Sequence, residues 1–296
     1  MLRGNNGHRD PHYFRRRYSS AALTLSSMRG PPRFIQSIAP WALCLFGTAV
    51  AFLAAHALGA AVPVSPLAAY VAGFVCVVTA VVAAGMFAPQ KPRVVLPIAV
   101  AALVGIACAA WLSARPPGWP RALTVTLALL AAGSAFGALV GARIQQAGHL
   151  LFVALASALA DLFSVVAPEG PSAAIAKSEV ALSIAALAWP MIGSSGIEPF
   201  LGVGDVVFTA LYLASTRRHG LSVQRSAVAL ACGYGLTMLV VVVFEVVVPA
   251  LPFLGAAMLV AQPAMRRPKP ADMRRGLVVL SVMTAVFLAL LLRPHH

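Results

Sequence analysis

Charged side chains are scarce in this sequence. Asp, Glu, Lys and Arg make up 10% of its 296 residues, against 60% hydrophobic residues and a mean hydropathy of +0.88. Soluble domains carry about a quarter charged residues, so a water-soluble globular fold is excluded. Acidic residues are scarcer still, eight against 22 Lys and Arg, for a net charge of +14. That excess does not mark a nucleic-acid binder. The basic residues sit in an N-terminal tail and in short loops between apolar runs, where they encode membrane topology. Cysteine pairs are missing too. Cys44, Cys76, Cys108 and Cys232 each lie alone in an apolar run, which argues against a disulfide framework or a zinc knuckle and for small buried apolar residues. No cluster of ligand-type side chains calls for a metal or an organic cofactor. No cleavable signal peptide is expected, because residues 1–37 are polar and arginine-rich and the first apolar run is too long for a signal core.

What the sequence does have is long apolar runs. Stretches of about 20 apolar residues read as bilayer-spanning helices, and nine apolar segments can be counted. They run approximately over 38–58, 67–87, 94–113, 121–140, 149–166, 199–215, 226–248, 249–262 and 276–292. The expected fold is an all-α polytopic membrane protein with about nine transmembrane helices. Its expected organisation is a basic, disordered cytoplasmic tail (1–37), N-terminal transmembrane helices (38–146), a core holding the candidate site (147–263), and a basic loop with a C-terminal helix (264–296). With the N-terminus inside, the inner loops hold Lys91, Arg93, Arg143, Arg217, Arg218, Arg225 and the Arg266–Arg275 cluster. The outer loops hold only Arg115, Arg121, Lys177 and Arg293. This bias favours a cytoplasmic N-terminus and puts the 167–198 loop outside. Within that loop the apolar piece Val180–Ile192, interrupted by Pro190, reads as interfacial or re-entrant. Gly133, Gly137 and Gly141 are spaced to let two helices approach closely.

Five of the acidic residues (Asp10, Glu169, Glu179, Glu198, Asp272) fall in the tail or loops, and three (Asp161, Asp205, Glu245) fall in apolar segments. An ionisable group inside a bilayer is costly and therefore a functional candidate. Glu245, four residues before Pro249, reads as reaching the interface. Asp161 lies seven residues before Pro168 and Asp205 six residues after Pro199. On two antiparallel helices, both carboxyls would then sit roughly 9–11 Å from the same loop end. Two carboxyls at close range hold one proton between them. Such a pair can take a proton from water and give one to a scissile carbonyl. It would equally serve a proton-coupled transporter, so the pair alone leaves both readings open.

Three short motifs surround the pair. Asp205 closes Gly202-Val203-Gly204-Asp205, whose glycines suit close backbone approach and a loosened helix start. Asp161 is followed by Pro168-Glu169-Gly170-Pro171. Downstream lies Pro249-Ala250-Leu251-Pro252, whose prolines keep the stretch from regular helix. In this order, over about residues 150–263, the motifs resemble the presenilin and signal peptide peptidase family of GxGD intramembrane aspartyl proteases. The Pro-x-Gly-Pro turn looks closer to the presenilins. The resemblance implies a presenilin-like helical bundle, Asp161 and Asp205 as catalytic residues, and a substrate-holding role for Gly202, Val203, Gly204, Pro249, Ala250, Leu251 and Pro252. It implies transmembrane-helix substrates that are unwound and cut within the lipid bilayer, and a compact chain of this kind is expected to act alone. Departures are plain: Ala160 stands where the family has Tyr, five segments rather than six lead up to and include the first aspartate, and an apolar segment follows the Pro-Ala-Leu helix. The inter-aspartate loop is also short, and with the N-terminus inside and five segments it faces outward, opposite to presenilins and like signal peptide peptidases. A prepilin-peptidase-like protease also uses GxGD. It usually carries Lys two residues after the aspartate, where this chain has Val207. The proton-coupled transporter would call for a matched inverted repeat, which is not evident.

Overall fold

The structure, a computed structural model, describes residues 33–59, 61–111, 118–167, 170–194, 196–246 and 248–292. The expectations for the basic tail up to residue 32, Arg115, Pro168, Glu169 and Arg293 lie outside the described residues. The chain divides into two units, Met1–Ala39 and Pro40–His296, and the packed helical core belongs to the second.

The apolar segments fold as helices: α1 (Arg33–Leu58), α2 (Pro66–Phe87), α3 (Pro92–Trp111), α4 (Trp119–Gly141), α5 (His149–Val166), the short α6 (Pro171–Ala176) and α7 (Glu179–Ala185), then α8 (Val203–Arg218), α9 (Val223–Phe244), α10 (Leu251–Ala261) and α11 (Pro270–Leu291). Several begin on a proline, where the missing N–H would have had no helical partner. Ser65, Ser178 and Ser222 cap α2, α7 and α9 by accepting from backbone N–H groups in the first turn. Among the described residues, seven helices are long and apolar enough to cross a membrane: α1 to α5, α9 and α11. The chain is thus a polytopic, mainly helical membrane protein. With 16 and 11 residues, α8 and α10 are shorter than the about 20 a full span needs.

At the centre stands α8, with every residue from Thr209 to Thr216 buried. Its neighbour α4 lies against it along the predicted glycine ridge. A Cβ on Gly137 would overlap the Val207 carbonyl, one on Gly141 the Leu211 carbonyl, and one on Gly133 would come within 2.9 Å of Val206 Cγ1. On another side α2 packs less tightly, a Gly85 Cβ meeting Ala210 Cα at 3.2 Å. The last turn of α8 is pinned by two arginines whose sequence positions suggested only topology. Arg217 donates to the Met86 carbonyl, and also to Gly85 and Ala88 carbonyls at 3.4 and 3.2 Å, at the C-terminus of α2; Arg218 donates to the Ala142 carbonyl at the end of α4. Each cation meets the carbonyl end of a helix dipole. Arg217→Gln is expected to destabilise the fold by about 2 kcal/mol, the size of a charge-assisted hydrogen bond to carbonyls left otherwise unpaired; a melting curve in detergent reads this directly.

Four expectations are corrected. One strand pair interrupts the helices, and Val180–Ile192 is not a single continuous apolar piece. It divides into α7 and a strand, β1 (Ala186–Pro190), which pairs antiparallel with β2 (Ile197–Gly202). The turn between the strands contains Gly193 at φ +91°, which a side chain would strain, and Pro190 stops any helical continuation. In consequence, Pro199 is not a helix start. Residues 199–202 are strand, α8 begins at Val203, and Asp205 lies in its first turn, so the matched-depth estimate along two helices does not hold. Likewise α9 stops at Phe244, before the expected Val248, because Glu245 adopts the left-handed conformation (φ 54°) that closes a helix; its side chain is exposed. Finally, Leu251 and Pro252 are not irregular backbone but the opening turn of α10, where proline is accommodated.

The last helix, α11, has no buried residue and packs on α5. His149 Nε2 lies 3.3 Å from Asp272 Oδ2, the Phe152 ring fills the space over Gly276, and Phe163 stacks on Phe287 at 4.5 Å.

Candidate active site

Asp161 sits near the C-terminal end of α5 and interrupts its apolar run. Its Oδ2 accepts from Leu251 N–H at 2.9 Å, and the Ala250 amide lies beside it. The reason is local. The first N–H groups of α10 have no helical partner. Pro252 has none to offer, and those of Phe253 and Leu254 already reach the Ala250 carbonyl. The Leu251 amide is therefore the free donor at a positive helix end, and a carboxyl fits it. The Pro-Ala-Leu backbone thus positions Asp161 through its main chain.

Asp205 is held differently. It is the third residue of α8 and turns back to accept from Gly202 N–H at 3.1 Å, the acidic half of a capping box whose other half the glycine has no side chain to supply. The strand-to-helix transition at Gly202 therefore places Asp205 at the end of β2. Asp161 and Asp205 line one cavity of about 520 Å³ and are close enough for their charges to interact. Gly202, Val203, Gly204, Pro249 and Ala250 line it as well. Leu251 contributes its N–H while its side chain is buried, and Pro252 is not in the wall.

The glycines of the GxGD stretch do not do what their spacing suggested. A Cβ at Gly204 would meet nothing within 4 Å, and one at Gly202 only Asp205 Oδ2 at 3.8 Å. No backbone packs there; the glycines leave open room beside the carboxyl. Close approach occurs instead at Gly170, the described part of the Pro-x-Gly-Pro turn, which presses on the Ser164 carbonyl. Ser164 Oγ in turn accepts from Ser172 N–H at 2.9 Å, tying α6 to the end of α5.

Sequence reasoning missed the aromatic wall. Tyr70 and Phe74, one turn apart on α2, meet Phe200 of β2 at centroid distances of 4.9 and 6.4 Å. A Cβ at Gly73 would run into that same ring. It also missed Tyr234 of α9, fully buried in the cavity wall. Its hydroxyl lies 2.8 Å from Thr209 Oγ1 and donates to the Asp205 carbonyl at 3.2 Å, so the α8 first turn is braced from α9. A lone tyrosine inside an apolar span, between Gly233 and Gly235, was the available signal. Tyr234→Phe is expected to cost about 1 kcal/mol by stranding Thr209, which a melting curve in detergent measures.

No three His, Cys, Asp or Glu side chains gather around a common point among the described residues. The fold and the site define a helical membrane protein with a two-aspartate cavity. No protein-family profile, no curated protein sequence and no solved structure matches this chain.

Proposed function

We propose that the chain is an intramembrane aspartyl endopeptidase of the presenilin-like GxGD kind. It would hydrolyse peptide bonds in transmembrane helices with water and the Asp161–Asp205 pair. The observation that carries this reading is the convergence of both aspartates, from separate apolar segments, on one cavity. Beside Asp161, its wall includes Gly202, Val203 and Gly204 of the GxGD stretch and Pro249 and Ala250 of the Pro-Ala-Leu stretch.

The chemistry follows from the pair. With one proton between them, the ionised carboxyl accepts a proton from water as the oxygen attacks the scissile carbonyl carbon, and the protonated one donates to the carbonyl oxygen. Collapse of the tetrahedral intermediate then breaks the C–N bond, and a proton passes to the leaving amine. A helix hides its carbonyls in its own hydrogen bonds, so the substrate must be extended where it is cut. The strand pair supplies a template for that. The far edge of β1 is occupied by Thr126, whose hydroxyl accepts from Ala188 N–H at 3.1 Å and donates to its carbonyl at 3.0 Å. β2 lines the cavity and ends at Gly202, three residues before Asp205, so an extended substrate adding along β2 would bring its backbone to the pair. The Lys and Arg distribution supports a cytoplasmic N-terminus.

The test is cleavage of single-span helical substrates in proteoliposomes, with products mapped by mass. Cuts inside the apolar span that vanish with either aspartate support the reading. Cuts that persist without both aspartates, or proton flux driven by a solute with no cleavage, overturn it.

A further inference from the structure

Away from the aspartate cavity, α9 and α10 leave a groove of about 710 Å³ between them. Its walls are apolar, with Cys232 and Leu236 on one side and Phe253 and Val260 on the other. One end alone is polar, where Gln224 and Arg225 stand. Arg225 is exposed, and its guanidinium makes no hydrogen bond or ion pair among the described residues.

Length decides what fits. From Gln224 to Leu236 the groove runs about 18 Å along α9, at about 1.5 Å per residue. One leaflet of hydrocarbon is about 15 Å deep, half of the about 30 Å core. A transmembrane helix would need twice that depth, and so would a second copy of a spanning helix. A single acyl chain needs just one leaflet, and its headgroup then lies at the groove's polar end. The charge there is a lone arginine, in a chain whose basic residues outnumber its acidic ones. An anionic headgroup complements it; a zwitterionic one does so less.

We propose that the α9–α10 groove is a binding site for one anionic phospholipid, with its acyl chain between the helices and its phosphate at Arg225 and Gln224. The seat bears on the aspartate pair through both walls. Next to the groove-lining Gly233 comes Tyr234, which braces α8, and α10 offers Leu251 N–H to Asp161. A Cβ on Gly233 would meet Leu254 Cα at 3.2 Å, so the two helices touch at the groove floor. Binding is nevertheless independent of whether the pair cleaves peptides.

Native mass spectrometry of the full chain, titrated with phosphatidylglycerol or phosphatidylcholine of the same acyl chains, tests this. One phosphatidylglycerol is expected to bind about fivefold more tightly than phosphatidylcholine, the effect of one surface arginine. Arg225→Gln is expected to erase that preference, weakening phosphatidylglycerol more than phosphatidylcholine. Ala257→Trp, which fills the groove, is expected to weaken both lipids. Arg143→Gln, an exposed arginine outside the groove, serves as the control and is expected to change neither. Equal affinity of wild type for the two lipids would overturn the proposal. So would the same loss of preference in Arg143→Gln as in Arg225→Gln, or undiminished binding to a folded Ala257→Trp.

Discussion

Asp161→Asn and Asp205→Asn are each expected to reduce cleavage of a helical substrate by on the order of 10⁴-fold, and the double variant to be no slower than either single one. In the proposed mechanism the pair works as a unit: water is activated only if one carboxyl is ionised, and the carbonyl is polarised only if the other holds a proton. Losing either removes the whole step, so the effects do not add. Asparagine is the informative choice. It keeps an oxygen for Leu251 N–H at residue 161 and for Gly202 N–H at residue 205, so α10 and the first turn of α8 keep their anchors. Melting temperatures near wild type, together with lost cleavage, separate chemistry from folding. A large fall in stability would instead give the aspartates a structural role. If the double variant were slower than either single by another such factor, two independent groups would be acting, and the shared-proton mechanism would fail.

Two glycine-to-alanine changes of identical size are expected to have opposite consequences. Gly137→Ala puts a methyl group onto the Val207 carbonyl, a backbone atom in the middle of α8 that cannot swing aside. The two most tightly joined helices must separate, at about 3 kcal/mol. For a chain of this size that lowers the melting temperature by roughly 6–12 °C. Gly204→Ala meets nothing within 4 Å, sits in the first turn of the same helix, and is expected to leave stability unchanged or raise it slightly through the unfolded chain. Its methyl group intrudes on the cavity beside Asp205, so substrate KM is expected to rise. Calorimetry or a thermal-shift assay reads the first variant and cleavage kinetics the second. Equal stability of the two would contradict the close α4–α8 contact.

The long helices were legible because lipid imposes one rule on them: about 20 apolar residues, with every backbone group satisfied internally. The glycine ridge at 133, 137 and 141 was legible for a similar reason, since its spacing returns to one helix face. The strand pair was not. Ala186–Pro190 and Ile197–Gly202 are short apolar runs without a clear two-residue alternation, and pairing with each other, a non-local event, is what makes them strands. That same omission put the start of α8 at Pro199 and joined the two aspartates by a depth argument that the strand removes. Tyr234 and Arg217 show a further limit. Each acts through contacts with a distant helix, and a sequence reports such a residue only as a polar oddity or as one more loop charge. The Leu251 amide shows another: it is a main-chain group, so no side-chain motif announces it.

That amide also has a consequence for biosynthesis. A chain emerging from a ribosome delivers Asp161 first, Asp205 next, and the Pro249-Ala250-Leu251 backbone last of the three. Until α10 inserts, Asp161 lacks its amide partner and the cavity lacks the wall that Pro249 and Ala250 supply. A nascent chain carrying both aspartates is therefore still incomplete as a site, and completion waits for one of its shortest helices.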